Sequence, residues 1–363
     1  MLQKIFATGL AFFCLSTASP AQDAAPAADT ITVANAPALV FSSFADAYYR
    51  YDFGEMASNN NTSFTNSHNS FELGMISLKA EHSIGKVGMV ADVGFGKRAE
   101  DFSYADENTR FIIKQLYLSY AFKNGLKITA GSWATHIGYE LVDAYANRNY
   151  SMSYMFSYGP FFHTGIKAEK TFGKTGLMLG IANPTDLKST TLSNKYIIGQ
   201  LSTATKDDVL KAYLNYQGGK PTDSVLVNQL DLVFLAALGG KFSLGVNGTI
   251  SNVQFKTGSE GDFGDGLQWF GAALYLNADL SEHFWMTLRT EYFDDAKQLN
   301  VFGAAPAGGN VLAATLSANL KVEGLTVIPE IRFEKASKEI FLNTPDKASD
   351  TSASFLVAAV YKF

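Results

Sequence analysis

The chain has 363 residues, of which 17% are charged, 13% aromatic and 47% hydrophobic, with 31 Gly, 9 Pro, one Cys and a formal net charge of −5. The hydrophobic fraction excludes a disordered chain, the acidic balance speaks against a nucleic-acid partner, and no apolar run beyond the N-terminus reaches the length of a transmembrane helix. With a mean hydropathy of +0.02, what remains is a Gly- and aromatic-rich β protein, either globular or with its apolar surface spread over many short membrane strands.

The N-terminus reads as a secretory signal. Met1–Lys4 carries one positive charge, Ile5–Leu15 is apolar, and small residues follow. Cleavage is expected after Ala21, with a cut after Ala18 as the alternative. Cys14 follows Phe12 and Phe13 rather than the small residues of a lipidation signal. The mature chain then holds no Cys, which excludes disulfides, thiolate metal sites and Cys nucleophiles. Residues 22–38, rich in Ala, Pro and Asp, are expected to form a flexible tether. Residues 39–363 are expected to form a single domain, a transmembrane β-barrel by the repeat and connections of its residues.

From Val40 onward the repeat is two residues, the period of a strand. In Lys241–Ile250, Phe242, Leu244, Val246 and Ile250 share one parity, opposed by Lys241, Ser243, Asn247 and Thr249. Leu312, Ala314, Leu316, Ala318 and Leu320 alternate with smaller or polar residues, and the pattern continues through Leu325–Glu334 and Ser354–Phe363. The segment Ser70–Ile84 changes parity midway, which points to a bulge or a miscounted strand.

The connections also alternate. Short turns fall at Gly85-Lys86, Asn124-Gly125, Gly173-Lys174, Lys206-Asp207, Gly239-Gly240, Ser281-Glu282 and Glu323-Gly324. Between them lie longer polar stretches at Gly54–Asn69, Lys97–Asn108, Tyr139–Pro160, Asn183–Asn194, Gln217–Leu226, Lys256–Gly266, Asp294–Asn310 and Lys335–Asp350. Ser151–Phe161 belongs either to the third of these loops or to the sixth strand. The fold class is all-β: a transmembrane antiparallel β-barrel of about 16 strands, with short periplasmic turns and long extracellular loops. Each strand with its connection has about 21 residues, enough for the 9–11 that cross a bilayer. Closure removes the unpaired edges that hydrocarbon does not tolerate.

Aromatics flank the strands as a bilayer boundary requires. Phe122, Phe172, Phe242, Phe284 and Phe363 lie toward the short turns. Tyr49, Tyr51, Phe53, Phe95, Tyr292 and Phe333 lie toward the long loops. This predicts two aromatic girdles.

Val360-Tyr361-Lys362-Phe363 is an alternating end with a terminal Phe, similar to the assembly signal of bacterial outer-membrane barrels. The first strand, Phe44–Phe53, and the segment Gly131–Glu169 resemble the OmpL-like β-barrel porin family of Gram-negative bacteria. The motifs that carry this are Gly138-Tyr139-Glu140, Asn149-Tyr150-Ser151, and Pro160, Phe161, His163, Thr164 and Gly165. The resemblance implies a porin, a water-filled passive channel, and names no substrate.

If the apolar parity faces lipid, the other lines the lumen. It carries the expected pore-lining residues Asp46, Arg50, Asp231, Arg289, Glu291, Glu330 and Arg332. Lys127, Lys167 and Lys211 share that parity. Charges of both signs are costly in a dry core and are expected to be solvated in a wet channel. The reading is passive diffusion of small hydrophilic solutes with weak ion selectivity, leaning to cations through the acidic balance. The third loop, with Glu140, Asp143 and Arg148, is expected to form a constriction facing Arg289 and Arg332, as the third external loop of general porins does; the alternative is a surface lid.

No catalytic, cofactor or metal site is expected. His68, His82, His136, His163 and His283 show no HExxH or other paired-ligand spacing, no GxSxG elbow occurs, and Asp262-Phe263-Gly264-Asp265 lacks the ligand run of a calcium loop. The expected partners are the lipid bilayer, lipopolysaccharide and small hydrophilic solutes or ions, in the bacterial outer membrane, as a monomer or a trimer. The rival readings are a blocked structural or adhesive barrel, a barrel hydrolase, and a soluble exported β protein.

Overall fold

The computed structural model describes residues 39–258, 261–344 and 347–363. The expected signal peptide and tether lie outside them. The strands are β1 (Val40–Asp52), β2 (Ser70–Ile84), β3 (Val87–Phe95), β4 (Ile113–Ala121), β5 (Lys127–Ala134), β6 (Phe162–Phe172), β7 (Thr175–Ala182) and β8 (Tyr196–Ala204). They continue with β9 (Leu210–Thr222), β10 (Val225–Gly239), β11 (Phe242–Phe255), β12 (Leu267–Asp279), β13 (Phe284–Asp295), β14 (Gly309–Val322) and β15 (Leu325–Ala336). A small hairpin, β16 (Phe341–Asn343) and β17 (Lys347–Ser349), precedes β18 (Thr351–Lys362).

Sixteen of these strands close into one antiparallel barrel, each paired with its neighbours in sequence. The small hairpin stands apart in the last long loop. Closure comes from β1 on β18, where Phe44 faces Lys362 and Asp52 faces Ser354. Ser43 and Phe363 exchange backbone hydrogen bonds of 3.1 and 3.0 Å, so the terminal Phe is part of the seam. With the ladder closed, the strand N–H and C=O groups pair with one another instead of facing lipid.

All seven expected short turns join consecutive strands. Gly85 and Gly173 take the positive φ that tight hairpins favour, at +58° and +63°. One long loop does not exist. Gln217–Leu226 is strand except for Asp223-Ser224, because Gln217 and Gly218 pair with both β8 and β10. Its polar residues belong to an inner wall: Gln217 donates to Gln229 across the strands at 2.7 Å. Polarity there reports an inward face, not a loop.

The parity change in β2 is a bulge. The register against β1 shifts between Ala45 and Ala47, and Gly74 and Met75 both point inward. A Cβ at Gly74 would overlap the Asp46 carboxylate, so glycine is the residue that fits.

The outer surface is apolar. Leu316, Leu214, Leu179 and Ile197 are exposed there. Phe122, Phe172, Phe242 and Phe363 are exposed beside the short turns, and Phe53, Phe95 and Phe333 beside the long loops. The core is inside the barrel, where the third connection packs on the wall. It groups Tyr139, Tyr154, Met155, Trp269, Tyr275 and Phe293 on one side and Phe44, Phe64, Phe102, Phe156 and Phe161 on another. The inner wall is not uniformly polar: β15 and β18 turn Ile328, Leu356, Ala358 and Val360 inward against Tyr48 and Tyr150.

Candidate functional site

The third connection, residues 135–161, enters the lumen and crosses it. It contains a 3-10 turn at Ala144–Ala146 and a one-turn helix, α2 (Tyr154–Ser157), whose N-cap Ser153 accepts from the Phe156 amide at 3.2 Å. Ser151–Phe161 therefore belongs to this connection and not to β6.

Its entry is fixed by backbone donors meeting buried wall acceptors. The Gly138 amide donates to Asp231 at 3.0 Å, and the Tyr139 amide to Asn247 at 3.3 Å. The Tyr139 ring stacks on Tyr275 with centroids 3.9 Å apart, in the space that Gly245 leaves open. Gly138 takes φ +93°, a conformation suited to glycine.

The centre is an ion-pair chain. Arg289 donates to Glu140 at 2.6 Å and also pairs with Glu291 at 3.2 Å. Arg332 joins Glu291 at 3.2 Å and Glu334 at 2.9 Å. These two guanidiniums also donate to the loop carbonyls of Ser151 and Met152. The carboxylates take the loop amides: Glu330 accepts from Tyr150 and Ser151, Glu291 from Tyr154, and Glu140 from Ser153. Arg289 is 0% exposed, and Glu140, Glu291, Glu330 and Arg332 are 3–5% exposed. Burying such charges costs several kcal/mol per ion unless each is paired and hydrogen-bonded, and here the loop backbone supplies the remaining partners.

The other expected site residues sit apart from this chain. Asp46 accepts from the Tyr150 hydroxyl and the Met75 amide. Arg50 pairs with Asp52 and donates to the Ser67 carbonyl of the first loop, not to the third. Asp231 holds the entry. Of the three loop residues, only Glu140 meets Arg289. Asp143 pairs with Lys114 of β4 at 2.6 Å, and Arg148 pairs with Asp279 at 2.5 Å near the short-turn end.

Several anchors carry no sequence signal on their own. Arg98, fully buried on the helix α1 (Lys97–Phe102), donates to the carbonyls of Val142 and Tyr150. Asp186, between β7 and β8, accepts from the amides of Phe161 and Phe162 at 2.7 and 3.0 Å and from the Tyr104 hydroxyl at 3.1 Å. Burial pushes its carboxyl up to about 7, against the pull of those donors and of Lys188. The clue available in the sequence is the density of Tyr in residues 139–158, and each sequence motif of the third connection supplies one or more anchors. Among the described residues no group of three His, Cys, Asp or Glu is placed to hold a metal ion.

A sequence model of the family described as Putative beta-barrel porin-2, OmpL-like, matches residues 38–363. No curated protein matches the chain. Among solved structures, the outer membrane channel DcaP of Acinetobacter baumannii superposes with a TM-score of 0.60 at 12% identity, over 90% of this chain and 97% of that one. In-vitro folded OmpT, an outer membrane protein of Vibrio cholerae, gives 0.59 at 10% identity, over 92% and 100%. An anion-selective porin from Comamonas acidovorans gives 0.57 at 13% identity, over 90% and 100%. At these identities the likeness is one of fold.

Proposed function

We propose, for a chain that belongs to the Putative beta-barrel porin-2, OmpL-like family, that small hydrophilic solutes cross the bacterial outer membrane through its lumen by passive diffusion, with weak ion selectivity. The family is one of outer-membrane β-barrel channels, and the apolar outer wall meets lipid. The exported chain loses its signal peptide, and lipopolysaccharide contacts the outer girdle. The observation that carries this reading is the third connection, folded into the lumen and tied to the wall through Arg289 and Glu140. A loop fixed inside a barrel wide enough for an aqueous channel narrows the passage and leaves the wall intact.

A second reading has its own support. The charges at the waist are nearly wholly buried against the loop instead of facing water, which suits a plugged barrel with a structural or adhesive role. Purified protein in a planar bilayer separates the two. Stepwise conductance supports the channel, and silence from protein that shows heat-modifiable migration supports the plug.

A further inference from the structure

Between the long loops and the third connection lies an outer vestibule of about 700 Å3. Its floor is Ser157–Phe161, and its wall is one inward rung of adjacent strands. Gln217 of β9 faces Gln229 of β10, which faces Ser251 of β11, which faces Trp269 of β12. Neighbouring strands are about 4.8 Å apart, so the rung sets two amides, a hydroxyl and an indole in a row. Gln217 donates to Gln229, and Gln229 to Thr249 at 3.2 Å, which fixes both amides. The first loop brings Asn60, Asn61 and Thr62 to the opposite side, and Tyr104 and Tyr158 add aromatic rings.

Among the described residues, no Lys, Arg or His lines this space. Its two carboxylates are committed elsewhere: Asp101 pairs with Lys97 at 3.0 Å, and Asp186 is taken by two amides and Tyr104. An anionic solute therefore finds no counter-ion, and Asp101, the carboxylate with an oxygen to spare for a cation, is already balanced by Lys97. The Asn61 amide nitrogen and one Asp101 oxygen are buried without a hydrogen-bond partner, and such groups are costly unless something satisfies them. Amides and hydroxyls in fixed positions, beside aromatic and Val227 and Val253 surfaces, suit a molecule with many hydroxyls and apolar C–H faces.

We infer that the outer vestibule binds a neutral polyhydroxylated solute of mono- or disaccharide size. This rests on the channel reading only for its consequence, since binding is measurable without conduction. The probe is maltose, titrated calorimetrically into the full detergent-solubilised protein, with sodium gluconate as the charged comparison. Maltose is expected to bind, and gluconate is not. Asn61→Ala, on a surface loop, and Gln229→Leu, inside the wall, are each expected to weaken maltose by roughly tenfold, the loss of one good hydrogen bond; heat-modifiable migration confirms that each variant folds. Absence of maltose binding, equal binding of gluconate, or unchanged affinity in both variants overturns the inference. A bilayer recording is the independent arm. Conductance without maltose binding leaves the channel and removes the saccharide site, and binding without conductance does the reverse.

Discussion

Arg289 of β13 donates to Glu140 of the third connection at 2.6 Å, and both side chains are buried inside the barrel. The pair joins wall to loop at the centre of the lumen. Removing one partner leaves a buried charge without its mate, which costs ~3–5 kcal/mol. Arg289→Met is therefore expected to destabilise the protein by about that amount in urea titrations of folding into vesicles. Adding Glu140→Leu to it is expected to recover part of the loss, because no charge is then stranded. Single-channel recordings of Arg289→Met should show larger or noisier conductance as the loop loosens. Unchanged stability and conductance would mean that the pair does not hold the loop.

Asp186 makes the loop's far end sensitive to pH. Its carboxyl is raised from 3.8 to about 7 by burial. The folded state thus keeps a proton that the unfolded chain releases above its ordinary value. The stability this contributes is fully present below pH 3.8 and is lost as pH rises through about 7. Hydrogen exchange at the Phe161 and Phe162 amides, corrected for intrinsic rate, should accelerate between pH 5 and pH 8 on the order of what one titrating group allows. Asp186→Asn should flatten that dependence. A slope that survives in Asp186→Asn would assign it to another group, with Tyr104 and the Lys188–Asp106 pair the nearest titratable neighbours.

The barrel is written in the sequence by two local signals, the two-residue repeat and the turn chemistry. Both are properties of neighbouring residues, so β14, with Leu312, Leu316 and Leu320 outward, reads directly. Gln217–Leu226 misleads because amides and glycines mark loops in most chains, whereas here the same residues face an inner wall. Ile328, Leu356 and Val360 mislead in the opposite sense, since an inward apolar patch makes sense only once a loop is known to cover it. The site follows the same division. A lumen with Arg289 and Arg332 beside a loop carrying Glu140 is legible as opposite charges on facing elements. The partners of Asp143 and Arg148 are set by the path of the loop through the barrel, and Lys114 and Asp279 are not neighbours in any local pattern.

Leu316 and Ser317 test the two faces of β14 at adjacent positions. Leu316 is 41% exposed on the outer wall, while Ser317 is fully buried and donates to Glu330 at 2.7 Å. Leu316→Arg is expected to cost about 2–4 kcal/mol, as an arginine near the bilayer midplane does, with the lumen unaffected. Ser317→Ala removes hydrogen bonds to Glu330 and Asn149. Its expected cost is about 1–3 kcal/mol, because the buried Asn149 amide loses its acceptor while Glu330 keeps the Tyr150 and Ser151 amides, together with altered conductance. The comparison is read by urea titration in vesicles alongside bilayer recording. Near-neutral behaviour of Leu316→Arg would place the wrong face in lipid.

Ion selectivity should locate the water-filled path. Lys127 and Lys211 point inward near the short turns and are half-buried, so they face the inner mouth. Arg289 and Arg332 are shut away at the waist among Glu140, Glu291 and Glu334. A permeating ion responds to charges it passes within about a Debye length, roughly 8–10 Å at 0.1–0.15 M salt, and to exposed ones most directly. Lys127→Gln with Lys211→Gln removes two positive charges from water-facing positions. The reversal potential in a salt gradient should move toward cation preference, more at low salt than at high. Arg289→Gln with Arg332→Gln removes the same charge but strips counter-ions from buried carboxylates. Its main expected effect is on stability and conductance, with a smaller change in selectivity at matched salt. If the arginine pair instead moves the reversal potential more than the lysine pair, ions pass beside the loop at the waist. Selectivity is then set at the Glu140–Arg289 constriction rather than at the inner mouth.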